Sequence, residues 1–253
     1  MNRIRSLSVL MVAILFLTAC GNSSPTEPTP TPGPPTAAPG QLTVADLVGM
    51  ADEQWPEVKV MRTTSQTGDI PQDGETQAIT GTVQDWNADG DRHLIEFQDG
   101  TAINEQIWVD GAIYMRGEFV SGAVAPELDV NTWVILDGSV IPDDSPVGLQ
   151  VRYLTREQNG PYGELLDETL ARPVVESGTA IVGDRTCTVY TFGDENGTGS
   201  EIKHEIAIDE NGLPCQWIQR AGGQQNSTVF EFDMDVTIEA PLEGTPVSGT
   251  PEG

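Results

Sequence analysis

The stretch DWNADGDRHLIE, residues 85–96, sets oxygen-bearing side chains at the spacing of a calcium-binding EF-hand loop: Asp85, Asn87, Asp89 and Asp91, with Gly90 at the sharp turn and Glu96 at position twelve. Such a loop works only if a helix leaves it and swings the last glutamate back onto the ion. Neither flank has a helical period. Ile79, Gly81 and Val83 alternate with Thr80, Thr82 and Gln84 before the loop, and His93, Ile95 and Phe97 alternate with Leu94 and Glu96 after it. An extended chain would carry Glu96 about 16 Å beyond Asp91, and Arg92 adds a positive charge beside the oxygens. The same letters spell a hairpin turn with Gly90 in the left-handed region. A turn is therefore expected, with a loose calcium half-site at Asp85, Asn87, Asp89 and Asp91 as the alternative.

Other reactive groups are sparse. His93 and His204 are the two histidines, and neither falls in a zinc-protease, serine-hydrolase or metal-cluster pattern. His204 shares a strand side with Ile202, Ile206 and Ile208, which reads as a buried, hydrogen-bonded imidazole, with recognition of a ligand's polar head as the alternative. With no nucleophile paired to a base, neither enzymatic activity nor a cofactor is expected.

The third cysteine type of chemistry is covalent attachment. MNRIRSLSVLMVAILFLTAC opens with Arg3 and Arg5, runs apolar from Leu7 to Leu17 and closes on Leu17-Thr18-Ala19-Cys20. That is a signal peptide over residues 1–19, too short to span a bilayer stably. Its end resembles the lipobox of bacterial lipoproteins, which implies that Cys20 receives a diacylglycerol and becomes the first residue of the mature chain. Residues 20–40 follow as a Pro/Thr-rich tether, able to reach roughly 60 Å in polyproline II form. Residues 41–242 are enough for one domain with a substantial core, and 243–253 read as a disordered tail. The expected location is extracytoplasmic, held by the acyl anchor to the outer face of the cytoplasmic membrane, or to the outer membrane where the organism has one.

Charge narrows the partners. Removing Arg3 and Arg5 from the 12 basic side chains leaves 10 against 39 acidic ones, a formal net charge of −29. Such a surface repels phosphate, so no nucleic-acid partner is expected, and the domain is read as a monomer.

The elements that must position these residues follow from periodicity. LTVADLVGMADEQW puts Val44, Leu47, Val48, Ala51 and Trp55 on one helical stripe, with Thr43 as N-cap, and Pro56 ends it. About five period-two runs follow between Val58 and Leu136, with turns at Asp99-Gly100 and Asp110-Gly111. Ser145 to Glu176 reads as a helical insertion around Asn159-Gly160-Pro161. About four more strands close the domain, with hairpins at Asn196-Gly197 and Asn211-Gly212 and a last strand carrying Phe230, Phe232, Met234, Val236 and Ile238 on one side. The expected class is α+β, a strongly curved antiparallel sheet, or half-open β-barrel, with helices covering its concave face.

Cys187 and Cys215 are the remaining cysteines, and an even pair in an exported chain suggests a disulfide. In a plain meander they would sit two strands apart, about 9.6 Å, beyond disulfide reach. A strand end folding over, a different strand order, or two free thiols would each resolve the conflict, and the bond is the favoured outcome.

The lipobox, the tether, the first helix, WVDGAIYMRG, RTCTVYTF and the closing VTIEAP together resemble the LolA-like superfamily, in particular its LppX/LprG-type lipid-transport lipoproteins. That resemblance implies a sheet wrapped around a helical lid and an apolar cavity for lipid or acylated molecules. The expected walls are Phe97, Ile107, Val109, Leu136, Tyr190, His204, Ile206, Trp217, Phe230 and Phe232, taken as strand positions of one parity, and the lid is Leu47, Val48, Leu154 and Leu166. Inward apolar residues serve a filled core equally well, so a lipid-anchored interaction or sensor domain without cargo stands as the alternative.

Overall fold

Thr43 and Asp46 fix the start of the first element. The Thr43 hydroxyl accepts the Asp46 N–H at 3.3 Å, and the Asp46 carboxylate accepts the Thr43 N–H at 2.7 Å. This reciprocal cap satisfies donors that a helix N-terminus otherwise leaves open, and the Thr43 hydrogen bonds hold the Asp46 carboxyl below its usual range. From there α1 (Val44–Gln54) turns Val44, Leu47 and Ala51 into the core, and Pro56 closes it through a 3-10 turn at Trp55–Glu57. The computed structural model describes residues 40–69, 77–136, 148, 160–162, 165, 167–193 and 202–247.

Six strands follow: β1 (Val60–Asp69), β2 (Gln77–Asn87), β3 (Arg92–Gln98), β4 (Thr101–Val109), β5 (Ala112–Gly117) and, after a π-turn at Val120–Val124, β6 (Val134–Leu136). Asp99 and Asp110 take φ of 49° and 51°, each before a glycine with positive φ. Two successive left-handed residues make the tight turn whose twist matches the flanking strands, so the Asp-Gly pairs do set the β3–β4 and β4–β5 hairpins. A short α2 (Asp167–Leu170) leads to β7 (Val175–Val182), β8 (Arg185–Gly193), β9 (Lys203–Ile208), β10 (Pro214–Ala221), β11 (Gln224–Phe232) and β12 (Thr245–Val247).

Among the described residues twelve strands join in one open sheet, ordered β12-β6-β5-β4-β3-β2-β1-β11-β10-β9-β8-β7. It is two antiparallel meanders zipped together where β1 pairs with β11, from Met61 opposite Phe232 to Asp69 opposite Gln224. Only β12 runs parallel to its neighbour, β6. Helix α1 packs on one face over β8 and β9, where Val44, Leu47 and Ala51 meet Phe192, Ile206 and Ile208; we call this the helix face.

The fold departs from the sequence reading in two places. Val175–Val182, whose start was expected to end the helical insertion, is strand β7. It is terminal in the sheet and exposed on both sides from Val175 to Thr179, with Val175 59% and Ile181 78% exposed and only Ala180 and Val182 half-buried, so little burial imposes the alternation by which strands are read. The second departure is the run from Phe230 to Ile238, expected as one strand. β11 stops at Phe232, and Asp233 takes φ of 54°, donates its N–H to the Val60 carbonyl and accepts the Lys59 N–H on its side chain. Beyond this break the chain crosses to the other face, where Val236 and Ile238 pack on Ile107 and Val109. Gly244 then passes so close to Ile135 that a Cβ would stand 2.8 Å from its Cγ1. Thr245 donates its N–H to the Trp133 carbonyl and β12 begins, inside the segment expected to be a disordered tail. Residues 234–244 thus form a strap over the face opposite α1, here called the strap face.

Candidate functional site

Residues directly opposite in a ladder share a face, so the register assigns each expected wall residue. Tyr190 stands opposite Ile206, Ile206 opposite Trp217, and Phe192 opposite His204. The same side continues through Phe230 and Phe232, opposite Thr63 and Met61, and reaches Ile113 opposite Leu136 at the far end. Tyr190, His204, Ile206, Trp217, Phe230, Phe232 and Leu136 therefore lie on the helix face. Phe97, Ile107 and Val109 do not, which corrects the expected set. Ile107 is opposite His93, His93 opposite Asp85 and Asp85 opposite Arg62, while Phe97 is opposite Gly81 on that same strap face. On β4 the helix-face residues are Gln106 and Trp108, opposite Met115 and Ile113. Choosing the aliphatic parity took the wrong side because the strap, not a helix, buries Ile107 and Val109.

Leu47 and Val48 of the expected lid do pack over this face, with Tyr190 and Trp217 beneath. Cys20, Leu154 and Leu166 lie outside the described residues. Val44, Leu47, Ala51 and Ile206 are fully buried, so the contact under α1 is close-packed. Two groups give it polarity. The His204 ring stacks parallel on Phe192 at 4.4 Å, and its Nδ1 accepts the indole N–H of Trp217 at 3.3 Å. That bond makes Nδ1 the acceptor nitrogen and, in neutral imidazole, puts the proton on Nε2.

The second polar group is one that sequence reasoning missed. Tyr162, 7% exposed, meets Trp217 and Phe230 edge-on, at 6.0 and 6.2 Å between ring centres. Among the described residues its hydroxyl has no hydrogen-bond partner. Burial, and then the negative charges of Asp209 and Asp52, push its ionisation well up, so the phenol keeps its proton. The residue follows the Asn159-Gly160-Pro161 interruption directly, and an aromatic side chain at a helix break was the signal available.

The disulfide joins Cys187 to Cys215 at a Cα separation of 6.6 Å, with both residues fully buried. β8, β9 and β10 do form a plain meander. The distance closes because β9 ends at Ile208, opposite Thr188, so that Cys187 projects one residue past it, while Cys215 occupies an irregularity between Pro214 and Gln216. Arg185 ties the same corner, donating to Asp209 and to the carbonyls of Pro214 and Phe230.

The strap face carries charge instead. Arg62 grips Asp85 through two hydrogen bonds of 2.6 and 2.8 Å, His93 Nε2 lies 2.7 Å from Glu105, and Arg116 binds the same carboxylate while covering the Trp133 ring. The EF-hand-like loop is a hairpin connection between β2 and β3. Asn87 Oδ1 accepts the N–H groups of Asp89 and Asp91, and its amide donates to the Asp91 carboxylate. Glu96 is bound to Asn104. Asp85 is thus committed to Arg62, and among the described residues no group of three or more His, Cys, Asp or Glu is placed to hold a metal ion.

The site is one lined face of an open, mostly antiparallel sheet beneath an amphipathic helix. Comparison with protein-family models and with curated proteins finds no match. Among solved structures the chain is similar to the lipoprotein LppX of Mycobacterium tuberculosis, at 10% identity and a TM-score of 0.48, covering 78% of this chain and 98% of that one. It is similar to LprF from Mycobacterium bovis at 8% identity and a TM-score of 0.45, over 82% and 99% of the two chains. A LolA superfamily protein from Nitrosomonas europaea follows at 10% identity and a TM-score of 0.29, over 75% and 92%.

Proposed function

We propose that the chain is an extracytoplasmic lipoprotein, anchored to the membrane through Cys20, that binds or shuttles a lipid or acylated molecule on the helix face of its sheet. The observation that carries this reading is the lining itself: Tyr190 and Trp217 pack in one cluster with Leu47 and Val48 of α1, and Phe230 and Phe232 continue the same face in a neighbouring cluster with Val58 and Met61. A sheet face lined with aromatic side chains over β8–β11 is suited to holding a molecule that is itself mostly apolar. The half-barrel with helices over a concave side, the acyl anchor and the cargo belong to this proposal, as does a binding rather than an enzymatic role. No described helix is long and apolar enough to cross a membrane, which agrees with attachment by an acyl group.

A second reading, an anchored interaction or sensor domain with a filled core, is favoured by the close packing of Leu47 and Ile206 under α1. Mass spectrometry of the full-length protein extracted from membranes separates the two. Acyl lipid recovered in near-stoichiometric amount supports the carrier; its absence leaves the interaction domain. Metabolic labelling with a clickable fatty acid tests the anchor independently, since equal labelling of Cys20→Ala would refute it.

A further inference from the structure

We propose that the Tyr162 hydroxyl is the donor that reads a neutral carbonyl oxygen, an ester or an amide, of the molecule bound on the helix face; the inference rests on the binding role proposed above. Buried polar groups in folded proteins are hydrogen-bonded almost without exception, because leaving one unpaired forfeits its contact with water and gains nothing. Tyr162 is buried, its ring is fixed edge-on by Trp217 and Phe230, and among the described residues its oxygen has no partner. A phenylalanine would fill the same aromatic space without that cost, so the hydroxyl answers to a group that the described residues do not supply.

The surroundings say what that group is. The neighbouring carboxylates disfavour loss of the phenol proton, which makes the oxygen a donor seeking an acceptor. Asp209 is held in place by the N–H groups of Asn211 and Leu213 and by Arg185, and Asp52 lies against Gly160, where a Cβ would come within 2.5 Å of its Oδ1. The carboxylates of Asp209, itself paired with Arg185, and of Asp52 act on the phenol as negative charge, which disfavours a phosphate or a free carboxylate as the acceptor relative to a neutral one. The remaining neighbours, Trp217, Phe230 and the α1 stripe, suit hydrocarbon. A neutral carbonyl flanked by acyl chain meets all three conditions.

The test compares methyl palmitate, 13C-labelled at its carbonyl, with hexadecyl methyl ether of matched length, on the full-length protein and its Tyr162→Phe variant. Affinity is read by displacement of a neutral fluorescent fatty ester, and the labelled carbonyl by infrared difference spectroscopy. The native protein should prefer the ester by roughly five- to tenfold, and its bound carbonyl band should move to lower frequency. Tyr162→Phe should lose both the preference and the band shift while binding the ether unchanged. Equal binding of ester and ether by the native protein, with an unshifted band, overturns the inference and leaves the binding role standing. Failure of the native protein to bind either probe removes the binding role, and this inference with it. The band position in the native protein decides the matter even where the variant does not fold.

Discussion

The helix face at β8–β11 and the strap face at β4–β5 are both covered, by covers of different kinds. Helix α1 brings its own hydrogen bonds, a capped N-terminus and three fully buried side chains, and it meets the sheet as a finished unit. The strap pairs little of its own backbone. It presses Val236 and Ile238 onto Ile107, Val109 and Tyr114 and is pinned at its ends, by Asp233 beside β1 and by β12 beside β6. Both covers are tied by backbone hydrogen bonds at their ends: α1 at its start, where Val44 donates its N–H to the Arg172 carbonyl and Val174 donates to the Leu42 carbonyl, and the strap at Asp233 and β12. The difference lies between them, in a helix that satisfies its own backbone and a crossing that does not.

Four measurements would break or sharpen that contrast. The largest effect is expected at Leu47. If α1 is close-packed as it stands, Leu47→Ala should cost about 3–5 kcal/mol in denaturant unfolding; a loss under about 1 kcal/mol would show a loosely seated helix and strengthen its role as a lid. Next comes the Cys187–Cys215 bridge beneath the same half of the sheet, whose removal by paired serine substitution should cost about 2–4 kcal/mol. Two titratable thiols per unfolded, unreduced chain would reject the bond itself. Ile238→Ala should cost about 2 kcal/mol, less than Leu47→Ala because Ile238 keeps 8% of its surface exposed where Leu47 keeps none; a larger loss than that of Leu47→Ala would reverse the ranking of the two covers.

The smallest effect is electrostatic and confined to the strap face. The His93 hydrogen bond holds the Glu105 carboxyl below its ordinary range, opposed by burial and assisted by Arg116. The folded chain therefore takes up this proton less readily than the unfolded one. The stability it contributes is present above the ordinary glutamate value and is lost as pH falls through the folded-state value. Denaturation midpoints between about pH 6 and about pH 3 should fall more steeply for the native protein than for Glu105→Gln. Parallel slopes would show that the carboxylate is only a solvated surface charge.

How much of this could be read in advance depended on whether local chemistry or tertiary contact decided each element. Thr43, Asp46 and Pro56 punctuate α1 by rules that hold within a few residues, and the two Asp-Gly pairs need left-handed backbone wherever they occur. The EF-hand pattern gave way to a turn for the same local reason, the period of its flanks. β7 carries no buried face and so no readable alternation. The run from Phe230 to Ile238 keeps perfect alternation while Asp233 sends its two halves to opposite faces, something no periodicity reports. The parity of β4 was hidden because its helix-face positions are Gln106 and Trp108, and a buried glutamine looks like a solvent-facing one until its neighbours are known. Of the site, the aromatic lining on β8–β11 and the two α1 residues were legible from periodicity. Tyr162 belongs to no periodic element; its place directly after Asn159-Gly160-Pro161 was the sequence signal, and its packing gives that signal meaning.

The two ends of the sheet order have unequal capacity for growth. At one end β12 is three residues long and carries Pro246, which has no N–H to offer, so the chain's own terminus blunts that edge. At the other end β7 is eight residues long and has a neighbour on one side only. A sheet with a single receptive edge can join one other molecule through that edge, and the joint then consumes the receptive edge of both. Among the described residues, edge pairing is thus open at β7 and blunted at β12.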